Sequence, residues 1–135
     1  MPSAPSPIAA LAYGAVKVIG YAYFSSRLNV IVGALVRPYK FGLAKTAIGM
    51  VGGITYVFAV SRAFPDGISN WSIFLGAMPV RIAAWSVALG IFYGFKVKPR
   101  IITLAVLAGT AWSYALDGVM WVLYKLMPGM VMPFC

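Results

Sequence analysis

The chain has no histidine and no glutamate, and its only acids are Asp66 and Asp117. Without histidine it lacks a general base poised near neutral pH, a haem ligand and the usual metal ligand. Its single cysteine, Cys135, can form no internal disulfide. These absences argue against a hydrolase, a metalloenzyme or a haem carrier, so no catalytic residue, metal or organic cofactor is expected and the protein reads as a non-enzyme. Charge is also scarce. Only 10% of the residues are charged and 62% are hydrophobic, whereas a soluble domain is about half apolar and a quarter charged. A chain this apolar cannot cover its own surface in water. The composition indicates an integral membrane protein, and 135 residues make a single membrane domain, 1–135.

A membrane crossing needs about 20 apolar residues in helical form. Residues 41–60 meet that length with Lys45 as their only charge. Residues 71–95 exceed it, interrupted by Pro79 and Arg81, and residues 101–124 meet it with Asp117 inside. Residues 8–36 are apolar except for Lys17 and the cluster Ser25-Ser26-Arg27-Leu28-Asn29. As one helix that stretch is about 43 Å long, so it is expected to tilt, protrude or break near Ser25. The expected fold is all-α with four transmembrane helices joined by short loops, which make neighbours antiparallel. Pro65-Asp66-Gly67 marks the turn between the second and third spans. Residues 125–135 are expected to form an interfacial tail.

Loop charge orients the bundle. Arg37, Lys40, Lys45, Lys96, Lys98 and Arg100 fall on one side, with only Arg62 and Lys125 opposite. Positive residues collect on the cytoplasmic or matrix side, so both termini are expected to face away from it. The net charge of +9 lacks the basic run interleaved with stacking aromatics that nucleic acid requires. Topology and anionic lipid account for it, with cardiolipin-type headgroups expected beside Arg37, Lys40, Lys98 and Arg100. Residues 1–7 have no arginine and no positive segment, so targeting information is expected within the spans.

Helices in lipid associate where small side chains let backbones approach. Lys45, Gly49 and Gly53 repeat at four-residue spacing, as do Ser86, Gly90 and Gly94, and Ala105, Gly109, Ser113 and Asp117. Each stripe is a candidate packing face, and Gly14 and Gly20 lie three residues either side of Lys17 on a small-residue face of the first span. Asp117 is the most informative residue, because an ionised carboxylate inside a span normally faces the bundle interior with a partner. Lys17 and Arg81 lie at similar depth, roughly 12–15 Å from the outer ends of their helices at helical rise. Lys17 shares its helix's glycine face, so Lys17–Asp117 is the first expected pair. Arg81 is rotated by about 140° from the Gly90–Gly94 stripe, and a helix beginning at Pro79 would leave it near the surface. The trio is read either as an ion pair that fixes helix register or as the charged lining of a proton, ion or peptide path. Trp71, Trp121, Tyr124, Tyr39, Tyr93 and Phe95 read as interfacial anchors. Tyr13, Tyr21, Tyr23 and Phe24 are candidates for contact with a partner subunit or a lipid headgroup.

Local motifs carry a likeness. Gly42-Leu43-Ala44-Lys45-Thr46-Ala47-Ile48-Gly49, then Ser61-Arg62, Asp66, Asn70-Trp71 and Leu75-Gly76-Ala77, resemble the middle two spans of the mitochondrial Tim-type inner-membrane translocase family. That family includes the four-span accessory subunit of respiratory complex I. The chain departs from it at Gly76-Ala77-Met78-Pro79, where members have a denser run of paired glycines, and the interval from Asn70 to Gly76 looks a residue or two long. The resemblance implies a non-catalytic accessory subunit in the mitochondrial inner membrane, termini toward the intermembrane space, partnered by membrane-embedded subunits and anionic lipid. A translocation or ion-conducting component, or a homo-oligomeric bacterial small membrane protein with periplasmic termini, is the alternative expectation.

Overall fold

The computed structural model describes residues 7–94 and 97–126, and among these the secondary structure is helical with no strand. The helices are α1 (Pro7–Val32), α2 (Pro38–Ala63), α3 (Asn70–Gly76), α4 (Met78–Tyr93) and α5 (Pro99–Leu126). Three stretches are long and apolar enough to cross a membrane: Pro38–Ala63, Trp71–Tyr93 and Pro99–Val122. The segment 127–135 and Phe95 and Lys96 lie outside the described residues, as do most of the expected tail and one expected anchor.

Local chemistry sets each boundary. The over-long first stretch becomes one unbroken helix, because Ser25 is buried and its hydroxyl is engaged with the Tyr93 hydroxyl at 2.7 Å instead of competing for backbone groups. α1 stops where Gly33 takes φ +68, a conformation glycine adopts without Cβ strain. The Ala34 amide then reaches back to the Asn29 carbonyl at 3.1 Å, and the Asn29 amide nitrogen donates to the Val36 carbonyl at 2.6 Å. Arg37 is extended, as a residue before proline must be, and Pro38 opens α2. α2 ends before the Pro65-Asp66-Gly67 turn, closed by a Gly67 amide bond to the Phe64 carbonyl at 3.0 Å. Ser69 caps α3 by accepting from the Ser72 amide at 3.2 Å.

The third apolar stretch is divided at Ala77. Pro79 has no amide hydrogen to give the Leu75 carbonyl, so α3 and α4 meet as two segments. Ala77 nevertheless keeps right-handed helical dihedrals (φ −74, ψ −6), and the Arg81 amide still bonds the Ala77 carbonyl at 3.0 Å. Because α3 precedes α4 in this way, Arg81 is far from a free helix end. It is 5% exposed, which corrects the expectation that a start near Pro79 leaves it at the surface.

Packing follows chain order and then closes. α1 packs along α2, α2 against α4 and α4 against α5, and α1 also touches α5. The α1–α2 turn and the α4–α5 connection share one end, where Leu28, Val32, Leu89, Tyr93, Val97 and Ile101 line a common pocket. Glycines allow close approaches, Gly42 to backbone and Gly109 to the core. A Cβ on Gly42 would stand 2.4 Å from the Val18 backbone oxygen, and one on Gly109 2.5 Å from the Trp85 ring. Trp85, fully buried, is the hub of the core, meeting Phe24 at 4.8 Å, Tyr21 edge-on at 5.4 Å and Phe41 at 5.9 Å between ring centroids.

Much of the outer surface is apolar. Leu35, Val30, Ile31, Ile54, Phe58, Ile91 and Trp71 are all exposed, a pattern suited to lipid and costly in water. The hydroxyls of Thr55, Ser61, Ser86 and Thr103, which also face outward, bond the carbonyl four residues earlier at 2.8–2.9 Å. In lipid such internal satisfaction is required, since no water is present to accept them.

Candidate functional site

The polar interior is built from four stripes, each with a four-residue period. α1 supplies Tyr13, Lys17, Tyr21, Ser25 and Asn29, and α5 supplies Ala105, Gly109, Ser113 and Asp117. α4 supplies Arg81, Trp85, Leu89 and Tyr93, and α2 supplies Lys45, Gly49 and Gly53. Residues four apart lie one above another on a helix, so these stripes face one another across the bundle.

Their meeting point is Asp117. The Lys17 ammonium donates to Asp117 Oδ1, and Arg81 Nη2 lies 2.5 Å from Oδ2. The second contact joins opposite charges without hydrogen-bond alignment. All three side chains are buried, at 1%, 5% and 3% exposure for Lys17, Arg81 and Asp117. One carboxylate therefore ties together α1, α4 and α5. Lys17 also donates to the Ser113 carbonyl, one turn earlier on α5, at 3.4 Å.

A shell of aromatic and hydroxyl groups surrounds the charges. Ser113 Oγ accepts from the Trp85 indole nitrogen at 2.9 Å and pairs with the Tyr21 hydroxyl at 3.1 Å. The Lys17 ammonium lies 5.5 Å from the Tyr13 ring and 5.6 Å from that of Tyr21. The Arg81 guanidinium lies 4.3 Å over Tyr114, whose hydroxyl donates to the Phe74 carbonyl at 3.2 Å. Lys45, 2% exposed, places its ammonium 4.6 Å from the Tyr21 ring and 5.0 Å from that of Trp85. Such contacts stabilise a cation by about 0.5–1 kcal/mol at exposed sites and by about 2 kcal/mol or more when it is desolvated. Nearer the basic end, the Tyr93 hydroxyl meets Ser25 Oγ, the Ser25 carbonyl at 3.2 Å and Asn29 Oδ1 at 2.9 Å.

The structure brings Lys17, Arg81 and Asp117 together, Arg81 joining the expected pair as a second cation on the same carboxylate. Gly53 and Gly109 are buried in the bundle, and Gly49 sits beside the Lys45 ammonium. Gly90 and Gly94 make no such contact. Gly90 is exposed with open space where a Cβ would be, and Gly94, at φ +56, ends α4 instead of packing it. The buried face of α4 is the Arg81–Trp85–Leu89 stripe, because the aromatic hub and the ion contact both lie there. Arg37, Lys40, Lys98 and Arg100 are exposed, around the N-terminal ends of α2 and α5.

Lys45, Tyr21, Ser113 and Trp85 belong to the site and are not among the expected charged trio. By position Lys45 belongs with the basic loops, yet its four-residue spacing from Gly49 puts it on a packing face. Tyr13 and Tyr21 turn inward around Lys17 while Tyr23 stays exposed, a split legible in their four-residue spacing about Lys17. Among the described residues, no cluster of three or more acids, histidines or cysteines is placed to hold a metal.

No protein-family model, no curated protein and no solved structure matches the chain.

Proposed function

We propose that the chain is a non-catalytic accessory subunit of a multi-subunit respiratory complex in an inner membrane, of the complex I accessory type that its motifs resemble. In this reading α1 is a fourth span. Its 26 residues reach about 39 Å at helical rise, enough to cross the hydrocarbon. An even number of spans puts both termini on one side, opposite the basic loops, and the positive-inside bias turns them toward the intermembrane space.

The observation that carries the proposal is the closed charge centre. Both carboxylate oxygens of Asp117 are engaged by cations from two other helices, and the surrounding rings and hydroxyls are spent on one another. This arrangement fixes register. It offers no nucleophile with an adjacent base. The rest of the molecule presents apolar helix faces to lipid and to neighbouring helices, and exposed Arg37, Lys40, Lys98 and Arg100 suit phospholipid phosphates, cardiolipin among them. The subunit would brace adjoining helices and hold lipid at their boundary.

Gentle extraction of the native membrane, native gel separation and mass spectrometry of the band holding this chain test the proposal. Co-migration with respiratory subunits in a large band is the expected result. Migration alone or as a small homo-oligomer would overturn it in favour of a conducting or self-assembling role.

A further inference from the structure

Arg27 stands on the outer surface of α1 and, among the described residues, faces no carboxylate. Its Nε donates to the Tyr23 hydroxyl at 3.2 Å, and its guanidinium lies 5.3 Å from the Tyr23 ring. No described residue accepts from Nη1 or Nη2. Asp117 is enclosed by Lys17 and Arg81, and Asp66 lies in the turn at the other end of α2. Arginine keeps its charge in proteins, and a charge on the lipid-facing side of a span calls for a counterpart.

Helical spacing places Arg27 at the seam between α1 and α5. Gly20, Tyr23 and Arg27 follow at intervals of three and four residues, on one stripe of α1. That stripe meets α5. The Gly20 carbonyl accepts from the Trp112 indole nitrogen at 2.9 Å, and the Tyr23 and Trp112 rings lie 5.9 Å apart. Arg27 continues the stripe by one turn toward the end that carries Arg37 and Lys98. Inward from it, Tyr23 and Ile19 on α1 and Ala115 and Val119 on α5 are exposed, an apolar surface beneath a cation. Depth fits as well. α1 has 26 residues, about 39 Å at helical rise against about 30 Å of hydrocarbon. Centred in the bilayer it overhangs by about 4–5 Å at each end. Arg27, five residues before Val32, then roots about 3 Å inside the hydrocarbon edge, within reach of lipid phosphates.

We propose that the α1–α5 seam binds one anionic phospholipid, its phosphate held by Arg27 Nη1 and Nη2 and an acyl chain running inward past Tyr23, Ile19 and Val119. The two terminal nitrogens of the planar fork match two phosphate oxygens. Tyr23 is a positioning residue: by holding Nε it aims the fork before the lipid arrives. The inference rests on α1 being the fourth span and not on which complex hosts the chain. It adds a seat beyond the loop residues Arg37, Lys40, Lys98 and Arg100.

The test uses the full chain, purified and delipidated in a neutral detergent. Phosphatidylglycerol and phosphatidylcholine with the same oleoyl chains are titrated in, and native mass spectrometry reads the first lipid bound. Arg27→Gln should weaken phosphatidylglycerol about tenfold or more, the loss of a charge-assisted contact. Tyr23→Phe keeps the ring but releases Nε, and should weaken it roughly threefold while leaving phosphatidylcholine unchanged. Arg37→Gln combined with Lys98→Gln should leave this first lipid in place. The proposal is overturned if Arg27→Gln binds phosphatidylglycerol as wild type does, or if the loop variant alone loses it. Displacement by soluble glycerol phosphate at equal concentration would make the seam a free-phosphate site and overturn it. So would loss of a neighbouring protein from the native-gel band of Arg27→Gln with lipid binding unchanged, which would assign Arg27 to a partner's carboxylate. Topology is read separately, in a Cys135→Ser background, by labelling Ser6→Cys and Leu35→Cys with an impermeant maleimide in sealed vesicles. Labelling from opposite sides without phosphatidylglycerol binding overturns the lipid seat alone, and labelling from one side overturns the fourth span with it.

Discussion

Asp117→Asn is the sharpest perturbation available, since it removes one charge and almost no volume. In wild type, both carboxylate oxygens meet cations that are at least nine-tenths buried. The amide oxygen can face Lys17 or Arg81, but the NH2 group then faces the other cation, and neither charge is cancelled. Breaking a buried ion pair from one side typically costs about 3–5 kcal/mol, because the surviving charge is stranded. Two cations are stranded here, so the upper part of that range is expected, about 4–5 kcal/mol. Replacing the whole set with apolar residues should behave differently. Lys17→Met, Arg81→Met and Asp117→Leu combined remove the charges together, and such replacements are often neutral or stabilising by about 1–4 kcal/mol. The assay is reversible unfolding in mixed micelles, followed by tryptophan fluorescence, because Trp85 shares Ser113 with the charge centre. The reasoning fails if Asp117→Asn lies within about 0.5 kcal/mol of wild type, the spread of an ordinary surface substitution. It also fails if the triple variant is less stable than the single one.

Other outcomes follow from the packing. Gly42→Ala drives a methyl to 2.4 Å from the Val18 carbonyl oxygen, and should cost about 1–3 kcal/mol as overpacking in the same unfolding assay. Gly90→Ala meets open space and should be neutral or stabilising by up to about 1 kcal/mol in the isolated chain, since alanine favours the helix; a loss comparable to that of Gly42→Ala would return Gly90 to a packing face. Tyr93→Phe leaves Ser25 Oγ and Asn29 Oδ1 without their shared hydroxyl, at a cost of about 1–3 kcal/mol, with faster hydrogen exchange across the end of α1 as the structural readout.

Much of this architecture is legible in the chain because membrane helices are declared by length. The runs around residues 41–60 and 101–124 sit inside α2 and α5, and Pro38, Pro99 and Pro65-Asp66-Gly67 punctuate them as proline and glycine usually do. Asp117 is legible because a lone intramembrane acid requires a partner, and helical rise placed Lys17 at its depth. Rotation about the helix axis is harder to read. In water the polar face marks the outside, but in lipid both faces are apolar, so α4 offered two stripes. The Ser86–Gly90–Gly94 stripe has the smaller side chains, yet Arg81–Trp85–Leu89 is buried. A bulky tryptophan can take the interior because Gly109 on the facing helix gives way to it. Lys45 is hard to read for a related reason: near a basic loop a lysine reads as topological charge, and its inward turn shows in its burial and in the Tyr21 and Trp85 rings beside it on other helices.

The most direct test of the central claim, that one carboxylate joins three helices, is a pair of double-mutant cycles on unfolding free energy: Lys17→Met with Asp117→Asn, and Arg81→Met with Asp117→Asn. Residues in direct contact couple by about 0.5–3 kcal/mol, while separated residues add within about 0.5 kcal/mol. The account predicts coupling of about 1–3 kcal/mol in both cycles. Additivity in both would contradict it.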